Sequence, residues 1–509
     1  MFVKVDTGAI SGIAAVEVCV EVNVAKGGIG LYLVGLPDNT IKESEQRIIA
    51  AFENSGFTMT AKKIVVNLAP ADLRKEGSLY DLPIAIGILR ATEQITSELI
   101  EESMFIGELS LDGSLRPVKG VLPLVAMARE RGLKRVFLPE ENVAEGAVVD
   151  GIEIVGASSL TELCAILTGT RPYTPAPHRI ESEMQIAEAD YAEDFADVKG
   201  QAYVKRALEI AAAGGHNIIM IGSPGSGKTM LARRLPSIMP PMTLSEALET
   251  TKIHSVAGKI GTHRGLITAR PFRAPHHLTS QVALIGGGQS PQPGEVSLAN
   301  NGVLFLDEMP EFGRNVLEVL RQPLEDRHIT ISRAKYTVDY PANFTLVASM
   351  NPCPCGYYNH PTKECSCSAA AVHRYKGHIS GPLMDRIDIH VEVVPVSIKE
   401  MSSERREERS AEVRRRVVAA RERQLERFRD TDIHCNAMMN SAMLRRFAPL
   451  DRDCSELLER AMTHLSLSAR AYDRIIKVAR TIADLEGVER IAPQHISEAI
   501  GYRSLDRER

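Results

Sequence analysis

The feature that most constrains this chain is a short apolar run, Ile218–Ile221, feeding directly into Gly222-Ser223-Pro224-Gly225-Ser226-Gly227-Lys228-Thr229 and then into a helical pattern. Strand, glycine-rich turn and helix in that order make a P-loop. The glycines let backbone N–H groups close around phosphates, and the helix start offers further unpaired donors. Lys228 reaches the β/γ oxygens, and the Thr229 hydroxyl serves Mg²⁺. A second apolar run, Val303-Leu304-Phe305-Leu306, ends in Asp307 and Glu308. Asp307 would hold the Mg²⁺ water shell, and Glu308 would orient or deprotonate the attacking water. The two motifs together predict ATP hydrolysis, and Glu308 argues against a scaffold that binds ATP without using it.

At 509 residues the chain exceeds one compact core, and as a prior it holds about three domains. With 44% hydrophobic and 25% charged residues it reads as an ordinary globular protein. A formal net charge of −5 excludes a wholesale basic coat, so nucleic-acid contact must be local, on a patch or in a channel. The absence of Trp and the 5% aromatic content argue against base-stacking platforms. The best apolar stretch, residues 9–36, is broken by Glu17, Glu21 and Lys26, so no membrane span is expected. The N-terminus also lacks a basic segment followed by an apolar one. A cytoplasmic protein with no membrane partner is the expectation.

Residues 1–168 alternate β-branched runs, Val16–Val24, Ile64–Leu68 and Arg135–Leu138, with helical patterns over Lys42–Ser55, Leu82–Thr92 and Leu122–Arg131. This predicts a separate α/β or α+β domain. Pro172, Pro175 and Pro177, then the acidic stretch Glu181–Glu193, mark a linker over 169–193. Residues 194–396 form the P-loop domain, with Ile218–Ile221, Val303–Leu306 and Thr345–Ala348 as buried parallel strands. Lys399–Arg429, dense in Arg and Glu, predicts a long solvated helix with pairs such as Glu412 with Arg416. Residues 397–509 are thus a connecting helix and a helical end, with Ser468 as a cap and Pro493 in a first turn.

Cys19, Cys164, Cys435 and Cys454 read as buried free thiols. Cys353-Pro354-Cys355 and Cys365-Ser366-Cys367 stand nine residues apart. Four thiols in two close pairs, in a reducing compartment, suit tetrahedral Zn²⁺ better than disulfides. A closed four-thiolate site leaves no open coordination position, so its expected role is structural, bracing the loop that follows Asn351.

Lys228 and Asp307 are far enough apart to admit an insertion, and residues 252–300 carry Arg264, Arg270, Arg273, His276 and His277 beside Gly286-Gly287-Gly288. A hairpin is predicted from Ile329–Arg333 and Tyr336–Tyr340, with Ala334 and Lys335 near its tip. Basic residues on either would grip a phosphate backbone without reading sequence.

Phe272-Arg273-Ala274-Pro275-His276-His277, Pro293-Gly294-Glu295-Val296-Ser297-Leu298-Ala299 and Gly302–Glu308 resemble the magnesium-chelatase-like branch of the AAA+ ATPases. Within it, Asp197-Val198-Lys199-Gly200-Gln201, the cysteine cluster and Leu467-Ser468-Ala469-Arg470-Ala471-Tyr472-Asp473-Arg474 resemble the bacterial ComM/YifB family, and the likeness spans essentially the whole chain. It implies a multidomain α/β fold: a Lon-protease-like N-terminal domain, a P-loop AAA+ domain with a parallel sheet, and a C-terminal helical lid. It further implies that Asn351 is the sensor-1 asparagine, Arg386 the arginine finger that enters a neighbouring subunit's site, and Arg470 the sensor-2 arginine. A homo-hexameric ring follows from the resemblance, with the two insertions projecting into a pore that holds single-stranded or branched DNA. Proteolysis would need a Ser–Lys dyad, but Leu122 falls where the lysine is expected and Ser78 stands in the wrong frame. The first domain is therefore expected to be a non-proteolytic platform. The function implied is an ATP-driven branch-migration helicase of natural transformation, working beside recombination proteins. The alternative is the ATPase subunit of a magnesium-chelatase-type metal insertase, against which the first domain and the cysteine cluster speak.

Overall fold

A computed structural model describes residues 1–25, 28–178, 180, 184, 191, 193–261, 265–288, 291–333, 336–360, 362–396, 406–465, 467–503 and 505. The expected tip residues Ala334 and Lys335, the insertion residue Arg264, most of the acidic linker stretch and the Lys399 start of the connecting segment lie outside them. The chain forms two compact units. The first comprises Met1–Ala187, Thr243–Thr268 and Pro291–Pro293; the second comprises Glu188–Met242, Ala269–Ser290 and Gly294–Arg509. Among the described residues, no helix is long and apolar enough to cross a membrane.

The first unit is built on a seven-stranded sheet in the order Gly30–Val34, Lys63–Ala69, Ala14–Ala25, Phe2–Ser11, Ser103–Phe105, Arg135–Pro139, Glu153–Ala157. Val18, Val20 and Val22 are buried while the intervening Cys19 and Glu21 are not, the period-two pattern of a strand with one covered face. Cys19 is thereby only partly buried, unlike Cys164, Cys435 and Cys454, because it stands on the open face. Helix Asp81–Ala91 is buried almost throughout, and its Asp81 is held by Arg47 in two bonds of 2.7 and 2.8 Å. Gly87 admits the close approach of Val22, whose methyl would stand 2.6 Å from a Cβ there. Helix Leu244–Val256 belongs to this unit although it lies within the sequence span 194–396. Ser255 O accepts from Gly120 N at 3.1 Å, and Ser255 Oγ donates to the buried Glu145 carboxylate.

The second unit carries a five-stranded sheet in the order Phe272–Arg273, Val303–Leu306, Thr345–Met350, Ile218–Ile221, Ile389–Glu392, with every neighbouring pair parallel. The three central strands are buried at every position, which is why Ile218–Ile221 and Val303–Leu306 are unbroken apolar runs and Thr345–Met350 is broken only by Thr345 and Ser349. Parallel pairing puts all strand ends on one edge. Ile221, Met350 and Leu306 therefore release the P-loop, Asn351 and Asp307 side by side.

The helical end follows in the same unit: Ser410–Arg427, Ser441–Phe447, Arg452–His464, Ala469–Glu486 and Pro493–Gly501. Ser468 caps its helix by accepting from Ala471 N at 3.2 Å, and Pro493 opens the last helix. Helix Ser410–Arg427 is less solvated than its composition implies: Val413, Val417, Ala420 and Gln424 are buried. Arg416 turns from Glu412 to Glu209, at 2.6 Å, and to Glu408, while Glu412 accepts from Arg409 N at 3.1 Å.

Candidate nucleotide site

Helix Lys228–Ile238 starts at the P-loop lysine, and Gly225 and Gly227 take φ of +77° and +93°, which side-chain-bearing residues rarely adopt. Gly222 is required for a different reason: a Cβ there would stand 2.4 Å from Val393 O. Lys228 Nζ donates to Gly222 O at 2.7 Å, Ser223 O at 3.0 Å and Asn351 Oδ1 at 3.3 Å. Burial lowers the Lys228 ammonium from its ordinary value, and the nearby Asp307 and Glu308 oppose that shift. Thr229 Oγ1 donates to Asp307 Oδ2 at 2.8 Å, bringing together the two groups expected to share Mg²⁺. Ser223 Oγ and Ser226 Oγ are buried with no partner among the described residues. Unpartnered donors in a loop with two left-handed glycines and a desolvated cation fit a polyphosphate.

Glu308 is exposed and has φ of +51°, an uncommon backbone conformation for a side-chain-bearing residue. Its N–H bonds Asp307 Oδ1 at 3.1 Å and Ser349 Oγ at 3.2 Å, and Ser349 Oγ itself donates to Asp307. Sequence reasoning missed Ser349. Its signal was a hydroxyl two residues before Asn351, in a buried strand whose other hydroxyl residue, Thr345, opens it. Lys228, Thr229, Asp307, Glu308 and Asn351 thus form one constellation.

Arg386 and Arg470 stand elsewhere. Ile389 pairs with Ile218, where the strand begins, whereas the P-loop leaves after Ile221. Arg386 O accepts from Asn217 Nδ2 at 3.0 Å, which fixes it at the edge where strands start. Four strand residues span about 13 Å. Arg470 pairs with Asp385 at 3.2 Å, and Arg474, four residues on, binds Asp388 Oδ1 at 2.6 Å, so both lie on the Arg386 side. Beneath them, His216 is fully buried between Asp388, at 3.3 Å, and Thr481, at 2.7 Å.

The four clustered cysteines converge, their sulfurs lying within 4.8 Å of one another. Cys353 is 3.3 Å from Cys355 and 3.7 Å from Cys365, and Cys355 is 3.6 Å from Cys365. Zn–S bonds of about 2.3 Å at tetrahedral angles put sulfurs about 3.8 Å apart, whereas a disulfide needs about 2.05 Å. The donor set fits a four-thiolate metal. Its loop abuts the P-loop, since a Cβ on Gly356 would stand 2.5 Å from Pro224.

Two basic residues read as phosphate-gripping are already engaged. Arg270 is buried and donates to Pro240 O at 2.5 Å and Asn301 O at 2.6 Å; Arg273 forks onto Glu295 at 2.6 and 2.8 Å. His276 and His277 lie 4.1 Å apart, ring to ring. The hairpin forms from His328–Arg333 and Tyr336–Pro341. In the first unit, Ser78 Oγ donates to Glu108, and Leu122 is buried with its N–H on Glu145 at 2.8 Å.

Residues 194–401 match the family described as magnesium chelatase, subunit ChlI, and 407–503 match its C-terminal family. YifB of Salmonella typhimurium is 43% identical over 509 residues, covering 99% of this chain and 97% of its own. Competence protein ComM of Haemophilus influenzae is 43% identical over 502 residues, 98% of this chain and 97% of its own. The chain belongs to the ComM/YifB family. Its class is that of a magnesium-chelatase-like AAA+-type ATPase, for which ATP and Mg²⁺ are the implied ligands. Lon protease 2 of Bacillus subtilis is 27% identical over 143 residues, 28% of this chain and 25% of its own. Residues 20–142 match a further family described as subunit ChlI of Mg-chelatase. That match removes one argument of the sequence reading, because the first domain no longer sets the ComM/YifB family apart from chelatase relatives.

Proposed function

We propose that the chain is one subunit of a homo-hexameric, ATP-hydrolysing motor on DNA, a branch-migration helicase that promotes integration of incoming DNA during natural transformation. The observation that carries this reading is the division of reactive groups between two edges of one sheet. Lys228, Thr229, Asp307, Glu308 and Asn351 share the edge where strands end, and Arg386 and Arg470 share the edge where they start. Arginines at the second edge are out of reach of their own P-loop and serve a phosphate on the next chain. A head-to-tail contact of that kind repeats until a ring closes.

In such a site Lys228 and the P-loop N–H groups bind and orient the phosphates, and Thr229 and Asp307 hold Mg²⁺, which supplies charge neutralisation when bound. Glu308 takes the proton of the attacking water, Asn351 orients it, and the neighbour's Arg386 and Arg470 balance charge developing on the transferred phosphoryl group. Cys353, Cys355, Cys365 and Cys367 would hold a structural Zn²⁺, and the loop they close would brace Asn351 against Pro224. The first unit is a non-proteolytic, Lon-like platform, the helical end is the lid, and the protein works in the cytoplasm beside recombination proteins. The name of the competence protein relative and the antiparallel hairpin His328–Pro341 support DNA as the substrate.

The test is the ATPase rate with Mg²⁺, alone and with single-stranded, duplex and branched DNA, using Lys228→Ala as the inactive control. The expected result is stimulation, strongest with branched DNA and falling with salt. ATPase indifferent to every DNA would contradict the motor reading. It would favour a metal-insertase ATPase subunit, the second reading, which the chelatase family matches over all three segments support.

A further inference from the structure

Arg386 is 6% exposed, and its guanidinium offers five N–H donors. Nη1 donates to Pro382 O at 2.5 Å, Nη2 donates to the Glu325 carboxylate, and the buried Nε has no partner among the described residues. A buried arginine left with an unused donor has a vacancy for another acceptor. Glu325 is its anion in the single chain. The hydrogen bond from Arg386 holds the Glu325 carboxyl below its ordinary value, with Arg470 and Arg321 adding smaller contributions. The side chain of Glu325 is nevertheless 53% exposed, so the pair is open to exchange from one side.

The position of Glu325 in the chain gives the contact its meaning. It is the penultimate residue of helix Arg321–Asp326, Arg327 turns with φ of +58°, and His328 opens the hairpin. Arg327 O accepts from Ala342 N at 2.8 Å, and Arg327 Nη1 donates to Phe344 O at 2.8 Å. Those bonds tie the base of the hairpin to the end of the helix, so the carboxylate on Arg386 is carried by the same piece of structure as the hairpin. A carboxylate and a phosphate oxygen compete for the same guanidinium donors.

We propose that Glu325 is a positioning residue for hydrolysis: it holds Arg386 when no neighbouring phosphate engages it, and movement of the Arg321–Asp326 helix with its hairpin hands the guanidinium over. This rests on the reading of Arg386 as acting on the next chain's phosphate. The exchange is one of hydrogen-bond partners and leaves every covalent bond intact. Hydrolysis is thereby timed by the hairpin, and a chain outside an assembly keeps its arginine withheld.

The test uses the full chain at saturating Mg-ATP, with ATPase per subunit measured across subunit concentrations for wild type, Glu325→Gln, Glu325→Asp and Arg386→Ala. Glu325→Gln is expected to raise the rate about five-fold at low subunit concentration, with KM for ATP unchanged, because one competitor for the guanidinium is removed. Glu325→Asp keeps the charge but withdraws it by one methylene, and is expected to fall between Gln and wild type. If Glu325→Gln does not fold, the Asp variant decides alone, an intermediate rise supporting the proposal and a wild-type profile overturning it. Folded Glu325 variants that match wild type at every concentration, or fall below it, overturn the proposal. Arg386→Ala is expected to be inactive at all concentrations. An active Arg386→Ala protein would instead remove the underlying reading of the finger, whatever the Glu325 variants do.

Discussion

The two edges of the five-stranded sheet are built from different materials. The edge where strands end is backbone-rich and tightly determined: glycines with positive φ, an unusual Glu308 backbone, and a lysine folded onto loop carbonyls. The edge where strands start carries two ion pairs with an exposed partner, Arg386 with Glu325 and Arg470 with Asp385, beside one buried pair, Arg474 with Asp388. A phosphate-binding loop needs a fixed shape, because N–H groups must converge on one anion. A group that must leave one partner and reach another needs exchangeable contacts, and ion pairs that reach the surface are exchangeable. Under the proposed function, the chain binds nucleotide at one edge and acts on another chain's nucleotide at the other.

The comparison can be broken first at its chemistry. Glu308→Gln should lower ATP turnover by about 10³-fold while leaving ATP binding intact, whereas Lys228→Ala should lose both, as titration with a fluorescent nucleotide would reveal. Arg386→Ala should cost about 10³-fold in kcat with ATP affinity unchanged, since a trans-acting arginine touches only the transition state of its neighbour. Loss of ATP affinity in Arg386→Ala would mean that the start edge shapes its own chain's pocket and that the two edges are not separate.

The stability of each edge sharpens the contrast. Burial raises the Asp388 carboxyl, but the ion pair with Arg474 overrules it, so Asp388 stays well below the ordinary carboxylate range. A depressed carboxyl contributes stability above its unfolded value of about 4, and the contribution fades as pH falls below that. Asp388→Asn leaves Arg474 without its counter-charge, and should cost about 3–5 kcal/mol at pH 7 and less at pH 3 in denaturant melts. His216 shares this buried site, and burial holds its imidazole below the ordinary histidine value, so it stays neutral at pH 7. At the opposite edge, Cys353→Ser should release bound metal, measurable as loss of about one Zn²⁺ per chain, and lower ATPase through the Gly356–Pro224 contact. Its effect on the rate should be smaller than that of Glu308→Gln, because under the proposed function the knot only braces the loop.

Much of the nucleotide edge was legible in the sequence for a simple reason. A strand buried on both faces must be apolar at every position, so Ile218–Ile221 and Val303–Leu306 carry their own boundaries. Glycines and an acidic pair then mark where those strands end. Partnership was far less legible. Arg270 and Arg273 count as charges in a sequence, yet one is enclosed by carbonyl oxygens and the other is forked onto Glu295. Nor does the sequence say which unit buries helix Leu244–Val256; the Gly120 and Glu145 that Ser255 meets lie more than a hundred residues before it. The separation of Arg386 and Arg470 from Lys228 needed the strand register, since chain order says nothing of which edge a residue occupies.

The most direct test mixes two inactive proteins. Lys228→Ala lacks a working phosphate loop but keeps Arg386, and Arg386→Ala has the reverse defect. If each edge serves a different chain, an equimolar mixture should recover ATPase to a sizeable fraction of wild type, rising with total subunit concentration. A mixture as inactive as its components at every concentration would contradict the division of labour between the two edges.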